Sequence, residues 1–139
     1  IKRLNKDGDV HDILIIDDDP QYLHLLQKMI ENEGNYLPVL AEGGFAALKL
    51  LEEFTPDVIL MDLVLEDING FELLEKFKSE PRIKHVPVII LTSSELGSEE
   101  MENLGDYSGQ IFDKWSITKD ELLENLHGSL SRLRSDLPA

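Results

Sequence analysis

Val58-Ile59-Leu60-Met61-Asp62 is a run of four apolar residues that stops at a carboxylate. Pro56 and Asp57 bound it upstream. A run this short and apolar at every position is the pattern of a strand covered on both faces, as inside a parallel sheet. Three other runs share the form. Ile13-Leu14-Ile15-Ile16 leads into Asp17-Asp18-Asp19, Val88-Ile89-Ile90-Leu91 into Thr92, and Gln110-Ile111-Phe112-Asp113 into Lys114. In an open parallel α/β sheet, ligands bind at the carboxyl ends of the strands. The pattern therefore predicts one crevice that gathers three carboxylates, a hydroxyl and an ammonium.

The segments between these runs read as helices. Asp19-Pro20 is a helix start, an N-cap acid followed by proline at the first position. That helix is predicted to run to about Glu33, with Leu23, Leu26 and Ile30 on one face and Gly34 as its stop. Tyr36 to Ala41 reads as a strand. It carries Pro38, which cannot donate to a ladder, so it is placed at an edge. Gly43 to Phe54 is predicted as a second helix with Phe45, Leu48 and Leu50 or Leu51 facing the core, and Phe71 to Ser79 as a third. Glycines at 97, 105 and 109 weaken the stretch from Ser93 to Gly109, where a short helix is predicted over Ser98 to Leu104. Thr118-x-x-Glu121 is a capping box that opens a long last helix, with Leu122, Leu126, Leu130, Leu133 and Leu137 as its buried stripe. Strands alternating with helices give an α/β, (βα)5, doubly wound five-stranded parallel sheet. The edge position of Pro38 fits the order 2-1-3-4-5, with its switch point between strands one and three. Residues 1–11 read as a leader or linker and residues 12–137 as one domain.

Composition narrows the function classes. The chain has 139 residues, 42% hydrophobic and 29% charged, enough to bury a core in one domain. It has no cysteine, which removes disulfides, thiolate catalysis and cysteine-ligated zinc. No apolar run approaches the roughly 20 residues of a membrane helix and no signal pattern opens the chain, so a cytoplasmic protein without membrane insertion is expected. The start at Ile1 suggests a piece of something longer. A formal charge of −15 argues against direct nucleic-acid binding, because phosphate backbones recruit Lys and Arg. Most of the acid excess is solvated surface. Asp17 and Asp18 are different, because they interrupt a buried-strand pattern.

Together these motifs resemble the receiver domain of two-component response regulators, over about Asp12 to Leu133. Ile13 to Pro20 is similar to the family's first-strand motif and Asp57 to Phe71 to its acceptor strand and loop. Leu91-Thr92-Ser93-Ser94 is similar to its threonine motif and Phe112-Asp113-Lys114 to its lysine motif. The resemblance implies the flavodoxin-like receiver fold and a phosphoryl group accepted on Asp62. It implies a magnesium ion ligated by Asp18, Asp62 and the backbone carbonyl of Val64, with Asp17 acting largely through water. Thr92 and Lys114 would contact phosphoryl oxygens, and Lys114 would pair with Asp62 at rest. The implied partners are a histidine kinase or histidine phosphotransfer protein and an output domain in cis or trans. The chemistry needs these residue types. Three carboxylates in one cleft repel each other unless cations intervene, and magnesium is a hard ion that prefers oxygen.

The chain departs from the family at Trp115, where proline is usual, at Ile111, where a tyrosine or phenylalanine is common, and at Glu66 and Asn69 in the acceptor loop. Two other functions compete with the phosphorylated signalling receiver. One is a degenerate receiver that docks partners without phosphorylation, supported by Ile111 and Trp115. The other is a haloacid-dehalogenase-type phosphatase with Asp17 as nucleophile and Asp19 as acid/base. The Asp-x-Asp spacing permits it, but no acidic pair closes a strand after Lys114 and no cap insertion is present. As single residues, Asp19 reads as a helix cap and Trp115 as packing beside the site.

Overall fold

The computed structural model describes residues 10–93, 96–105 and 110–135, the last four of these by backbone alone. Most of the leader, Ser94, Leu137 and the side chain of Leu133 lie outside that description. The strands are β1 (His11–Ile16), β2 (Tyr36–Ala41), β3 (Val58–Met61), β4 (Val88–Thr92) and β5 (Ile111–Asp113). The helices are α1 (Pro20–Glu31), α2 (Gly44–Leu51), α3 (Gly70–Ser79), α4 (Ser98–Leu104) and α5 (Lys119–Ser135). All strand pairs are parallel and the sheet order is β2-β1-β3-β4-β5, as the alternation of runs predicts.

Residues that alternate along a strand supply two cores. Ile13, Ile15, Val58, Leu60, Ile89 and Leu91 face one side, where Tyr22, Leu23, Leu26 and Ile30 of α1 and Leu122 and Leu126 of α5 cover them. Leu14, Ile16, Ile59, Met61, Val88 and Ile90 face the other, under Ala47 and Leu51 of α2 and Leu73, Leu74 and Phe77 of α3. β2 is only half-buried, and its Pro38 lies opposite Ile13 on the single paired edge. The caps match the sequence pattern. Asp19 Oδ1 accepts from Gln21 N–H at 3.0 Å, and Thr118 and Glu121 exchange bonds of 2.9 and 3.1 Å.

The elements differ from expectation in two places. α1 ends at Glu31, short of Glu33, with Gly34 at φ +77° in the turn that follows. α2 covers Gly44–Leu51 rather than residues 43–54, and Phe45 is 58% exposed instead of facing the core. The cause is Gly44. A Cβ there would collide with Ile68 Cγ2, so the helix presses its backbone onto the β3–α3 loop. The inward stripe becomes Gly44, Ala47 and Leu51, and Phe45, a quarter turn away, points outward.

Gly70 makes the second close approach. A Cβ on it would lie 2.5 Å from Leu63 Cα and 2.5 Å from Leu63 O, both main-chain atoms that cannot swing aside. Gly70 N–H also donates to Leu63 O at 3.1 Å. Gly70→Ala is therefore expected to destabilise the fold by about 3 kcal/mol through forced backbone displacement. Urea denaturation checks this, with the midpoint falling at an unchanged slope.

Candidate functional site

Register decides which side chains meet. Ile16 of β1 pairs with Met61 of β3, so Asp17 and Asp62 leave adjacent strands side by side. Asp62 N–H still donates to Ile16 O at 3.1 Å and Asp17 N–H to Ala41 O at 3.2 Å, which anchors both main chains to the sheet. On the far side, Thr92 of β4 pairs with Asp113 of β5, and Lys114 N–H donates to Thr92 O at 3.2 Å. β5 stands two strands from β3, a gap of about 10 Å at the usual strand spacing. A lysine stem bridges it. Lys114 Nζ donates to Asp17 Oδ2 at 2.7 Å and to Asp62 Oδ2 at 2.9 Å.

All three groups are buried, as is Thr92. Each carboxylate of the crevice also accepts a main-chain N–H: Asp17 from Asp19 at 2.9 Å, Asp18 from Glu66 at 3.0 Å and Asp62 from Val64 at 3.0 Å. These bonds fix the orientation of the acids. Burial raises the Asp17 carboxyl above its ordinary range, against the opposing bonds from Lys114 and Asp19 N–H. Burial alone would lower the Lys114 ammonium, yet its bonds to Asp17 and Asp62 leave it raised. The directions agree with a buried crevice in which two carboxylates share one ammonium.

Among the described residues, no group of three or more His, Asp or Glu side chains stands ready-made as a metal cage. Asp17 and Asp62 are turned onto Lys114 and Asp18 onto the acceptor loop. The donors are nonetheless of the right kind for a hard divalent ion, being carboxylate oxygens beside the main chain of Val64, and their charge deficit favours one. By donor chemistry the crevice fits magnesium.

The expected Asp17, Asp18, Asp62, Thr92 and Lys114 thus all lie at the carboxyl edge of the sheet, and the Val64 main chain lies beside Asp62. Asp19 caps α1, as expected. Trp115 differs from expectation in part. Its ring does lie beside the site, edge-on to Tyr22 at 4.9 Å, but it is 62% exposed rather than packed in a core. The sequence reading missed two residues. Tyr22 is buried in α1, and its hydroxyl donates to Lys114 O at 2.7 Å, with Lys114 Nζ 4.3 Å from its ring centroid. Asp67 accepts from Gly44 N–H at 3.0 Å and Phe45 N–H at 2.9 Å, so the acceptor loop itself caps α2. Asp67 caps a helix that lies 22 and 23 residues before it in the chain, so no local pattern announced the contact. Tyr22 sits on the apolar stripe of α1 and carried no signal either.

With this architecture and site in view, comparison with known proteins gives the class. The model of the response regulator receiver domain matches residues 13–126, and the chain belongs to that family. It is 30% identical over 111 residues to the protein PilH of Pseudomonas aeruginosa, covering 77% of this chain and 91% of PilH. It is 32% identical over 108 residues to the polar-differentiation response regulator DivK of Brucella anthropi, covering 77% of this chain and 87% of DivK. A CheY-like response regulator receiver domain protein from Methanospirillum hungatei superposes with a TM-score of 0.80 at 25% identity, covering 93% of this chain and all of that one. Among the described residues, no helix is long and apolar enough to cross a membrane.

Asp67 permits a test of how the acceptor loop is held. Its bond from Phe45 N–H, and then that from Gly44 N–H, hold its carboxyl below the ordinary range. A depressed folded-state value gives stability that is fully present above the unfolded value, about pH 4, and is lost as pH falls through the folded one. Asp67→Ala is expected to cost about 1 kcal/mol at pH 7, as loss of an N-cap does. It should also shrink the fall in stability between pH 5 and pH 2, measured by urea denaturation across that range.

Proposed function

We propose that this domain, taken as residues 12–137, is a phosphorylated signalling receiver that accepts a phosphoryl group on Asp62 from a phosphohistidine of a histidine kinase or histidine phosphotransfer protein. An Asp62 carboxylate oxygen attacks phosphorus, the P–O bond forms as the P–N bond breaks, and the imidazole leaves. The single observation that carries the reading is the Lys114 ammonium at 2.7 and 2.9 Å from Asp17 and Asp62, at the carboxyl end of a parallel sheet. Phosphoryl transfer demands little beyond positioning and charge neutralisation, and a buried lysine beside an acceptor carboxylate supplies both. Lys114 and Thr92 would each hold a phosphoryl oxygen. Asp18, Asp62 and the Val64 carbonyl would hold magnesium directly, with Asp17 acting through water. Magnesium, when bound, would neutralise the carboxylates and the incoming phosphoryl oxygens.

On this reading the domain is a signalling module rather than an enzyme with a substrate of its own. It works in the cytoplasm and passes its state to an output domain in cis or trans, without touching nucleic acid. The phosphatase reading needs Asp19 as acid/base, and Asp19 is engaged as the cap of α1. The docking-only reading has no use for a buried lysine shared by two carboxylates.

Two measurements test the proposal. Intact mass after incubation with acetyl phosphate and magnesium should show one added phosphoryl group on wild type and none on Asp62→Asn; stable label on Asp17 would overturn the assignment. Calorimetric titration with magnesium should give an affinity weakened at least about tenfold in Asp18→Ala, because one of two direct carboxylate ligands is gone. Wild-type affinity in that variant would remove Asp18 from the metal site.

A further inference from the structure

We infer that Tyr22 is a positioning residue for Lys114, its hydroxyl fixing the main chain of the lysine and its ring seating the ammonium against Asp62. The inference rests on the reading of Asp62 as phosphoryl acceptor. It concerns a residue outside the acidic cluster, contributed by α1.

The geometry has three independent parts. First, Tyr22 is 2% exposed, and a buried hydroxyl requires a partner. It donates to Lys114 O at 2.7 Å. That carbonyl belongs to the residue just past β5, whose N–H still donates to Thr92 O of β4 while its C=O takes its donor from α1. Second, the Tyr22 ring lies 4.3 Å from Lys114 Nζ, close enough for a cation–π contact. The ammonium thus has two carboxylates on one side and an aromatic face on another. Third, Trp115 closes the outside, its ring 5.4 Å from Nζ and edge-on to Tyr22 at 66°. A lysine stem is flexible and its ammonium is a point charge without directional preference. Here its base is tethered and its tip is boxed. Burial and the neighbouring Asp17 raise the Tyr22 phenol further above its ordinary range, so the hydroxyl stays a donor at all working pH values.

A packing residue and a positioning residue predict different couplings. If Tyr22 serves only the core shared with Leu23 and Leu26, loss of its hydroxyl acts equally whether or not Lys114 is present. If it acts through Lys114, its effect on phosphorylation disappears once the lysine is removed. The experiment measures acetyl phosphate labelling rates at saturating magnesium for wild type, Tyr22→Phe, Lys114→Ala and the double variant. It also records the 15N resonance of the Lys114 side-chain ammonium in unphosphorylated protein. The expected result is a labelling rate lowered on the order of tenfold in Tyr22→Phe, from a misplaced charge. The half-saturating magnesium concentration stays unchanged, and the effect shrinks below about twofold in the Lys114→Ala background. The ammonium resonance, sharp in wild type, broadens in Tyr22→Phe. Equal fold-losses in both backgrounds would overturn the inference, as would a wild-type rate together with a wild-type ammonium resonance in Tyr22→Phe. Should wild type take no label at all, the acceptor reading falls, and the ammonium resonance alone decides whether Tyr22 seats the lysine.

Discussion

One ammonium carries the carboxyl edge of this sheet. Parallel pairing of β1 with β3 puts Asp17 and Asp62 next to each other, and burial denies both the water that would ordinarily screen them. Like charges so placed raise each other's protonation unless a cation stands between them. Lys114 is that cation, with bonds of 2.7 and 2.9 Å. Such a cluster is poor stabilisation. Desolvating three charged groups costs several kcal/mol each, and apolar residues of similar volume would often serve the fold better. Removing the lysine alone is worse than removing the whole cluster, because it leaves two buried carboxylates facing each other. A fold that keeps this arrangement keeps it for what the charges do.

The rest of the structure holds that arrangement in place. The sheet sets the spacing, because β1, β3, β4 and β5 each end where a functional side chain begins. The loops set orientation, since Asp17, Asp18 and Asp62 each accept a main-chain N–H from a residue on a connecting segment. The acceptor loop is pinned at both ends. Gly70 lies against the Leu63 main chain, and Asp67 bonds the first N–H groups of α2. α2 therefore depends on the loop that follows Asp62, and a shift of that loop reaches a helix whose own chain position is far from Asp62.

What was legible in the sequence follows from the range of the signal. Strands apolar on both faces, proline on an edge strand and the Thr118–Glu121 capping box are local patterns, and each was read correctly. The cluster was legible because four strand ends carried four distinct polar groups in one order, which made a non-local arrangement readable from local runs. Phe45 was misread because a large apolar residue outweighs glycine in any periodicity, although the tight contact of Gly44 with Ile68 sets the helix face. Trp115 was only half read, since its ring does lie beside the site against Tyr22, but β5 ends there at the edge of the sheet and leaves it 62% exposed. Tyr22 was invisible for a different reason. It occupies a legitimate core position of α1, and its partner carbonyl lies 92 residues away.

The same contacts constrain how the site meets a new ligand. A lysine ammonium has three N–H donors. Two are engaged by Asp17 and Asp62, and the remaining side of the group faces the Tyr22 ring, which accepts a cation but offers no lone pair. An incoming phosphoryl oxygen is a stronger acceptor than an aromatic face, so under the proposed reading it takes the donor that the ring held loosely, or displaces one carboxylate. Asp18 and Asp62 would hold a cation whose charge would share the neutralisation of Asp62, which would make it easier for Lys114 to free an N–H. The aromatic box then has a definite consequence. On that reading it supplements the two ion pairs through an interaction weak enough to give up, so that the lysine would be in position before the ligand arrives and would not be locked there afterwards.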